Sequence, residues 1–241
     1  MGAAPVHPPA ATFTRSVQRG TLRRMIISRR RRYIFVHIPK TGGTALSLAL
    51  EARAMKDDIL IGDTPKARAR ARRLQGLRAR GRLWKHATLA DIEGLVSVDE
   101  IAAFFTVTLV RNPWDRMVSY YHWLREQGWD HPAVRLAKAT DFADFLRAPQ
   151  TRQSVKAAPY GAYLRGSDGR EHCDLFIRLE HFDTDVAPLE AHLGLVLAPL
   201  ERANASARSR DWRGYYDAGT QDLVADLCAE DIARFGYRFE S

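Results

Sequence analysis

Five consecutive residues combine the side chains and the flexible backbone that phosphate binding needs. The run HIPKTGGTA places Lys40 and Thr41 directly before Gly42 and Gly43, and Thr44 follows them. Backbone N–H groups at a helix N-terminus stabilise phosphate through hydrogen bonds and the helix dipole, and glycine has no Cβ to keep an anion away. A plain turn between a strand and a helix rarely needs the lysine and both hydroxyls. The segment therefore predicts a phosphate-binding loop.

The order of residues in this loop differs from that of nucleoside-triphosphate enzymes. In their G-x-x-x-x-G-K-[ST] pattern the lysine follows the second glycine, and the next hydroxyl binds Mg²⁺. Here Lys40 precedes both glycines, and Val36 and His37 stand where the leading glycine would be. The pattern therefore argues against an ATPase or kinase loop. We expect the His37 ring to lie in the core or to support the loop.

A second segment, RNPWDRMVSYY, begins a helix directly after an apolar run. The run TVTLV is typical of a strand, and Arg111 follows it. Asn112 is a good N-cap, Pro113 suits the first helical position, and Asp115 completes an approximate capping box. Arg111 is thus predicted at the end of a strand, immediately before a helix.

The remaining pattern consists of strands separated by helices. The run YIFVHI predicts a strand that ends at Pro39, a helix follows from Thr44, and DLFIRL predicts a third strand from Asp174. Two capping patterns, Thr88 with Asp91 and Ser97 with Glu100, predict short helices, and a last helix is predicted over residues 220–235. This order predicts an α/β fold with a central parallel sheet flanked by helices and a P-loop-like strand-loop-helix phosphate site.

Length and composition are those of one globular domain. The chain has 241 residues, 46% of them hydrophobic and 27% charged, which disfavours a disordered, collagen-like or disulfide-stapled protein. Residues 1–24 are proline-rich without periodicity and predict a disordered tail, so residues 25–241 are predicted to form a single domain. The net charge of +9 favours an anionic partner without identifying it.

Only two cysteines are present, Cys173 and Cys228, too few for a disulfide framework or a C-x-x-C metal site. They favour a reducing compartment, and we expect a cytoplasmic protein without a metal. No apolar run reaches the roughly 20 residues that span a bilayer, so we expect no transmembrane segment.

HIPKTGGTA followed by LVRNPWDRMVSYY resembles the paired motifs of PAPS-dependent sulfotransferases, where PAPS is 3′-phosphoadenosine 5′-phosphosulfate. The resemblance is greatest to the bacterial and Golgi carbohydrate type, or sulfotransferase family 2. KHATLADI, DLFIRLEHF and the C-terminal run ending in GYRF are similar in order and spacing, so the resemblance covers residues 25–240. It implies transfer of a sulfuryl group from PAPS to an acceptor hydroxyl without a metal.

The resemblance also implies the roles of individual residues. PAPS carries a separate 3′-phosphate, which in the family is bound by the residues that match Arg111 and Ser119. The implied cofactor-binding residues are Lys40, Thr41, Gly42, Gly43, Thr44, Ala45, Arg111 and Ser119. Lys40 would stabilise the leaving phosphate, and His86 matches the base of some carbohydrate sulfotransferases. His122 is the rival base, since imidazole titrates near neutral pH.

The sequence does not identify the acceptor. A carbohydrate or small metabolite is expected, an amine is less favoured, and the oligomeric state is not predicted. The Arg-rich segment, residues 66–85, is either a solvated helix or loop or a patch that attracts an acidic glycan or PAPS. Arg178 and Glu180 are expected to pair inside the fold. The alternatives are a small-molecule kinase and a basic nucleic-acid-binding module, although no nucleic-acid-binding motif accompanies the charge.

Overall fold

A five-stranded mixed β-sheet organises the chain in the computed structural model, which describes residues 24–62, 64–84, 86–200, 209 and 211–240. The strands are β1 (Arg24–Ser28), β2 (Tyr33–Val36), β3 (Ile59–Gly62), β4 (Phe105–Val110) and β5 (Leu175–Arg178), in the order β3-β1-β2-β4-β5. β2, β4 and β5 are parallel to one another, whereas β1 is antiparallel to β2 and β3. The α/β prediction is confirmed, and the correction is that the sheet is mixed.

β1 and β3 are absent from the sequence-based prediction for a physical reason. The turn between β1 and β2 consists of residues 29–32, all arginine, and contains none of the Gly, Asn or Pro residues that usually mark a hairpin. Arg32 nevertheless adopts a positive φ of 50° in this turn. β3 has only four residues, which is too short for a clear alternating pattern.

Twelve α-helices flank this sheet within the described residues. They are α1 (Gly43–Ala52), α2 (Pro65–Arg70), α3 (Leu89–Ile92), α4 (Val98–Ala103), α5 (Pro113–Arg125), α6 (Pro132–Ala139), α7 (Phe142–Arg147), α8 (Pro149–Lys156), α9 (Phe182–Asp185), α10 (Ala187–Leu193), α11 (Ala218–Leu227) and α12 (Ala229–Phe235). Short 3-10 helices cover Ala71–Leu74, Tyr160–Leu164, Leu179–His181 and Arg213–Tyr215. None of the described helices is long and apolar enough to cross a membrane.

The local helix signals were reliable at helix starts and wrong at one helix interior. Two of the predicted capping boxes are present, Thr88 with Asp91 at α3 and Ser97 with Glu100 at α4. The predicted last helix is instead two helices, because the backbone at Cys228 leaves the helical region with φ −113° and ψ 21°.

The sheet separates two hydrophobic clusters, as strand geometry requires. Successive side chains of a strand point to opposite faces, so Ile34 and Val36 join one cluster and Tyr33 and Phe35 the other. α5 packs in the first cluster and α1 in the second. Both faces of the sheet are therefore covered.

The predicted tail lies almost wholly outside the described residues. The exception is Arg24, which begins β1, and the next residue, Met25, is fully buried in the core. The single domain predicted for residues 25–241 stays a prediction.

Candidate active site

The carboxyl ends of β2, β4 and β5 lie at one edge of the sheet because these three strands are parallel. In the ladder Val36 pairs with Thr108, and Val110 pairs with Arg178. The chain then enters the loop before α1, Arg111 before α5, and the 3-10 helix after β5. Open α/β sheets bind ligands at this edge. The two predicted phosphate-binding segments are thus brought to the same place.

The loop before α1 has an unusual backbone. Lys40 and Gly42 both have left-handed conformations, with φ of 67° and 83°. Gly42 is the N-cap of α1 and makes no side-chain capping bond. The first N–H groups of a helix have no acceptor within it, so the start of α1 is suited to an anion. The N–H of Ala45 is partly used here, since it donates to Gly42 O at 3.2 Å.

The two glycines are needed for packing beneath the loop. A Cβ at Gly42 would lie 2.6 Å from Leu179 Cδ1, and a Cβ at Gly43 would lie 2.3 Å from His37 Cδ2. Real Cβ atoms essentially never make contacts this short. The expectation that His37 supports the loop is therefore correct. The missing side chains make room for the protein's own core, a role that the sequence pattern does not indicate.

The hydroxyl of Thr41 also serves the loop. Thr41 is fully buried, and its Oγ1 donates to Ile38 O at 3.0 Å. Thr44 is half-buried at the second position of α1. The structure therefore gives the two threonines different surroundings, one inside the loop and one partly exposed.

Two arginines from the second segment donate to consecutive carbonyls of the loop. Arg111 Nη1 lies 3.3 Å from Lys40 O, and Arg116 Nε lies 3.1 Å from Pro39 O. The backbone on both sides of Lys40 is thus held by guanidinium groups that come from β4 and α5.

Arg111 is itself held on several sides. Its Nε and Nη2 donate to Asp115 Oδ2 at 2.8 and 2.5 Å, and Tyr160 Oη donates to its backbone carbonyl at 2.5 Å. The Asp115 carboxylate therefore binds Arg111, whereas the backbone N–H of Asn112 donates to Glu180 Oε1 at 2.7 Å. Asn112 Oδ1 accepts from Trp114 N, which confirms the predicted N-cap, but the Asn112 N–H donates to Glu180 and Asp115 does not complete the predicted capping box.

α5 carries Ser119 and also contacts the Lys40 ammonium. Ser119 is buried on the inner face of the helix, 6% exposed. One turn later, the Trp123 ring lies with its centroid 5.5 Å from Lys40 Nζ, within the range of a cation–π contact. α5 therefore adjoins both predicted donor-binding segments.

His86 lies next to the loop through His37. Its Nδ1 is 2.9 Å from His37 O and 3.2 Å from His37 Nδ1, and the two rings stack with centroids 5.0 Å apart. A carbonyl oxygen only accepts, so His86 Nδ1 carries a proton, and in the neutral ring Nε2 carries the lone pair. The second candidate base, His122, packs edge-on against Tyr215 with ring centroids 5.1 Å apart.

Over its described residues, 66–84, the Arg-rich segment does not form a single patch. Three cations donate to backbone carbonyls in the last turn of α1 and in the loop that follows it: Lys66 to Glu51 O, Arg70 to Met55 O, and Arg73 to Lys56 O. Near the end of the segment, Arg82 lies over the Trp84 ring, and that ring contacts His86 edge-on at 5.2 Å between centroids. Trp84 is unusually exposed for its size, at 41%.

Several site neighbours carry no clear sequence signal. Arg116, Trp123, Tyr160 and Leu179 touch the predicted residues; Arg116 lies in RNPWDRMVSYY and Leu179 in DLFIRL, but their residue types alone do not indicate a role in the site. The expected pair of Arg178 and Glu180 is wrong, because Arg178 donates to both oxygens of Asp185 at 2.8 and 3.0 Å. Across the described part of the chain, no cluster of three or more potential metal ligands occurs.

No individual curated protein matches the chain significantly. Among solved structures, mouse sulfotransferase SULT7A1 complexed with PAP is 17% identical, with a TM-score of 0.42 over 83% of this chain and 82% of the mouse chain. The model of the sulfotransferase family (Sulfotransfer_2) matches residues 23–238, which is most of the chain. The chain therefore belongs to the sulfotransferase family, as its two motifs predicted.

Proposed function

We propose that this sulfotransferase transfers the sulfuryl group of PAPS to a hydroxyl of a carbohydrate or small metabolite. The observation that carries the proposal is the meeting, at one sheet edge, of the α1 N-terminus and Arg111. PAPS needs two separate anion sites, one for its 5′-phosphosulfate and one for its 3′-phosphate. The arrangement supplies an N-terminal helix site and a guanidinium on neighbouring strands.

The residues present fit this donor. Gly42 packs closely against Leu179 and Gly43 against His37, and we assign the 5′-phosphosulfate to the N–H groups at the start of α1. Because the Thr41 hydroxyl is buried against Ile38 O, we assign its ligand contact to the backbone.

The 3′-phosphate is assigned to a guanidinium and a hydroxyl. Arg111 offers the planar fork that favours phosphate oxygens, although Asp115 now occupies two of its N–H donors. Ser119 supplies the hydroxyl from α5. Binding of an anion here requires Arg111 to share its donors between Asp115 and the phosphate.

Lys40 is the proposed electrostatic catalyst. PAPS supplies the sulfuryl group, and the departing phosphate gains negative charge as the bond to sulfur breaks. A fixed ammonium beside that phosphate lowers the barrier because it stabilises charge that develops in the transition state. The Trp123 ring and the held backbone limit where the Lys40 ammonium can lie.

His86 is the proposed general base. The bond from its Nδ1–H to His37 O fixes the tautomer and directs the lone pair to Nε2. Nε2 would take the acceptor hydroxyl proton as the oxygen attacks sulfur.

The acceptor proposal rests on the surface beside His86. Trp84 exposes part of a large aromatic face there, and aromatic faces suit the apolar faces of sugar rings. We therefore propose a carbohydrate as the favoured acceptor class. The free thiols of Cys173 and Cys228 support a reducing compartment, and we propose the cytoplasm.

Calorimetric titration with 3′-phosphoadenosine 5′-phosphate (PAP) tests the donor site. Arg111→Ala should weaken binding at least tenfold, since charge-assisted bonds contribute about 1.5–3 kcal/mol each. Arg147→Ala is the matched control, because it removes an exposed ion pair with Asp217. The donor assignment is wrong if PAP and adenosine 5′-phosphate bind equally well.

A rate measurement tests the base. Labelled sulfate transfer is screened over a panel of glycans and metabolites, and His86→Ala should lower the rate about 10²–10⁴-fold with PAP affinity retained. His192→Ala is the control, since His192 packs on Phe105 at the opposite sheet edge. Full activity of His86→Ala would exclude it as the base. Mg²⁺-dependent ATP turnover would instead support a kinase, and salt-sensitive oligonucleotide binding a nucleic-acid module.

A further inference from the structure

Lys40 occupies a backbone conformation that a lysine does not favour. Its φ of 67° is left-handed, where a Cβ crowds the following carbonyl oxygen. Within the described residues Arg32 is the one other non-glycine residue with positive φ. Such a conformation persists where neighbouring contacts determine it, and these residues occur frequently in active sites.

The contacts that determine it come from two guanidinium groups. The peptides on either side of Lys40 accept from Arg116 through Pro39 O and from Arg111 through Lys40 O. Arg111 is already assigned to the 3′-phosphate. Arg116 has no role in the donor site proposed above.

Arg116 is fixed by the protein on its other side. Its guanidinium carbon lies 4.7 Å from the centroid of the fully buried Tyr160 ring. The backbone N–H of Tyr160 donates to Asp231 Oδ1 at 3.0 Å, and Asp231 is only 3% exposed. This chain of contacts runs from α12 through Tyr160 and Arg116 to the loop.

We propose that Arg116 is a positioning residue for Lys40. The inference rests on the proposed function, since it concerns the catalytic ammonium of that same site. By holding Pro39 O, Arg116 keeps the peptide before Lys40 in the orientation that the left-handed conformation requires. Without this bond the backbone relaxes to negative φ, and the side chain leaves its place beside Trp123.

The first test separates positioning from donor binding. Arg116→Met keeps much of the side-chain volume but cannot donate to Pro39 O. We expect kcat to fall about tenfold, because a left-handed lysine without support relaxes. PAP affinity measured by calorimetry should change less than twofold. The rate is followed as labelled sulfate, either released from PAPS or transferred to the acceptor found in the panel.

The matched control is Arg125→Met on the same helix. Arg125 also lies over a tyrosine ring, with its guanidinium carbon 5.4 Å from the centroid of Tyr121. It is the last residue of α5, nine residues beyond Arg116. This variant should keep the wild-type kcat, and an equal loss in both variants would overturn the proposal.

The second test is a double-mutant cycle with Lys40. If Arg116 acts through Lys40, then Arg116→Met should lower kcat by less than twofold when Lys40 is already alanine. If Lys40→Ala leaves no measurable rate, Lys40→Gln, which also lacks the cation, takes its place in the cycle. Equal losses with and without Lys40 would show that Arg116 does not act through it.

Two other outcomes, a folding defect of the variant and a wrong donor assignment, can be distinguished from failure of this proposal. If Arg116→Met does not fold, Arg116→Lys retains a cation and a donor, and it should keep more of kcat than Arg116→Gln. The opposite ranking would overturn the proposal. A wild-type protein that binds no PAP would instead refute the proposed function.

Discussion

The two strand-turn-helix segments of the site are stabilised in different ways. The loop before α1 depends on distant parts of the chain: His37 and Leu179 pack beneath its glycines, and two arginines hold its carbonyls. The turn before α5 also has local bonds, the Asn112 cap and the ion pair of Arg111 with Asp115, beside distant contacts from Tyr160 and Glu180.

The difference shows how one segment organises the other. Local capping fixes where α5 begins, and the arginines that follow are then placed to hold the loop. The loop itself carries the strained backbone and most of the predicted ligand-binding residues. A local cap thus supports a backbone conformation that the loop sequence alone does not favour.

The largest effect is expected from a methyl group beneath the loop. Gly43→Ala would place a Cβ 2.3 Å from His37 Cδ2, so the loop or the His37–His86 pair must move. Overpacking of this kind costs about 1–3 kcal/mol, and we expect PAP binding to be lost as well. Thermal melts and calorimetry measure the two effects. Gly128→Ala, where a Cβ meets no atom within 4 Å, should change neither.

Asp231, which contacts Arg111 through Tyr160, should have an intermediate effect on stability that depends on pH. Burial raises the pKa of Asp231 from 3.8 to about 6. Between these values the unfolded chain is ionised and the folded chain is not, so this group's contribution to stability falls as pH rises from about 4 to 6. Relative to Asp231→Asn, the wild type should lose on the order of 3 kcal/mol at most.

Denaturant unfolding of both proteins from pH 4 to 7 measures this difference. A constant difference in unfolding free energy over that range would contradict a buried carboxyl that titrates near pH 6. PAP affinity, measured over the same range, would show whether Tyr160 and the segment before α5 depend on Asp231.

The smallest effect should come from the local cap. Asn112→Ala removes the bond to Trp114 N and should cost about 1 kcal/mol of stability. Because Arg111 and Arg116 would shift with the helix start, PAP affinity should fall as well. Asp141→Ala removes the corresponding cap of α7 and should lower stability alone. Equal PAP affinities for these two variants would mean that the loop does not depend on the α5 cap.

The sequence predicts features that depend on near neighbours. Asn112, Thr88 and Ser97 each cap a helix two or three residues away, and these predictions are confirmed. The strand before Pro39 and the helix after Gly42 also follow from local patterns. The meeting of the two motifs at one edge then follows from the parallel strands.

Contacts between distant residues were not predictable in this way. Nothing local indicates that His37 fills the space beside Gly43, or that Arg178 binds Asp185 instead of Glu180. β1 was missed because its turn to β2 is built of arginines. These features depend on tertiary packing, which overrides local preference.

The Leu179 side chain under Gly42 has a consequence for the order of assembly during synthesis. β2 and the loop leave the ribosome long before β5, which ends at Arg178, directly before Leu179. The loop therefore acquires its full support only when most of the chain has been made, and closing such distant contacts is slow. Nascent chains that stop before residue 179 lack the Leu179 contact beneath Gly42. The donor should therefore be bound late, by a nearly complete protein.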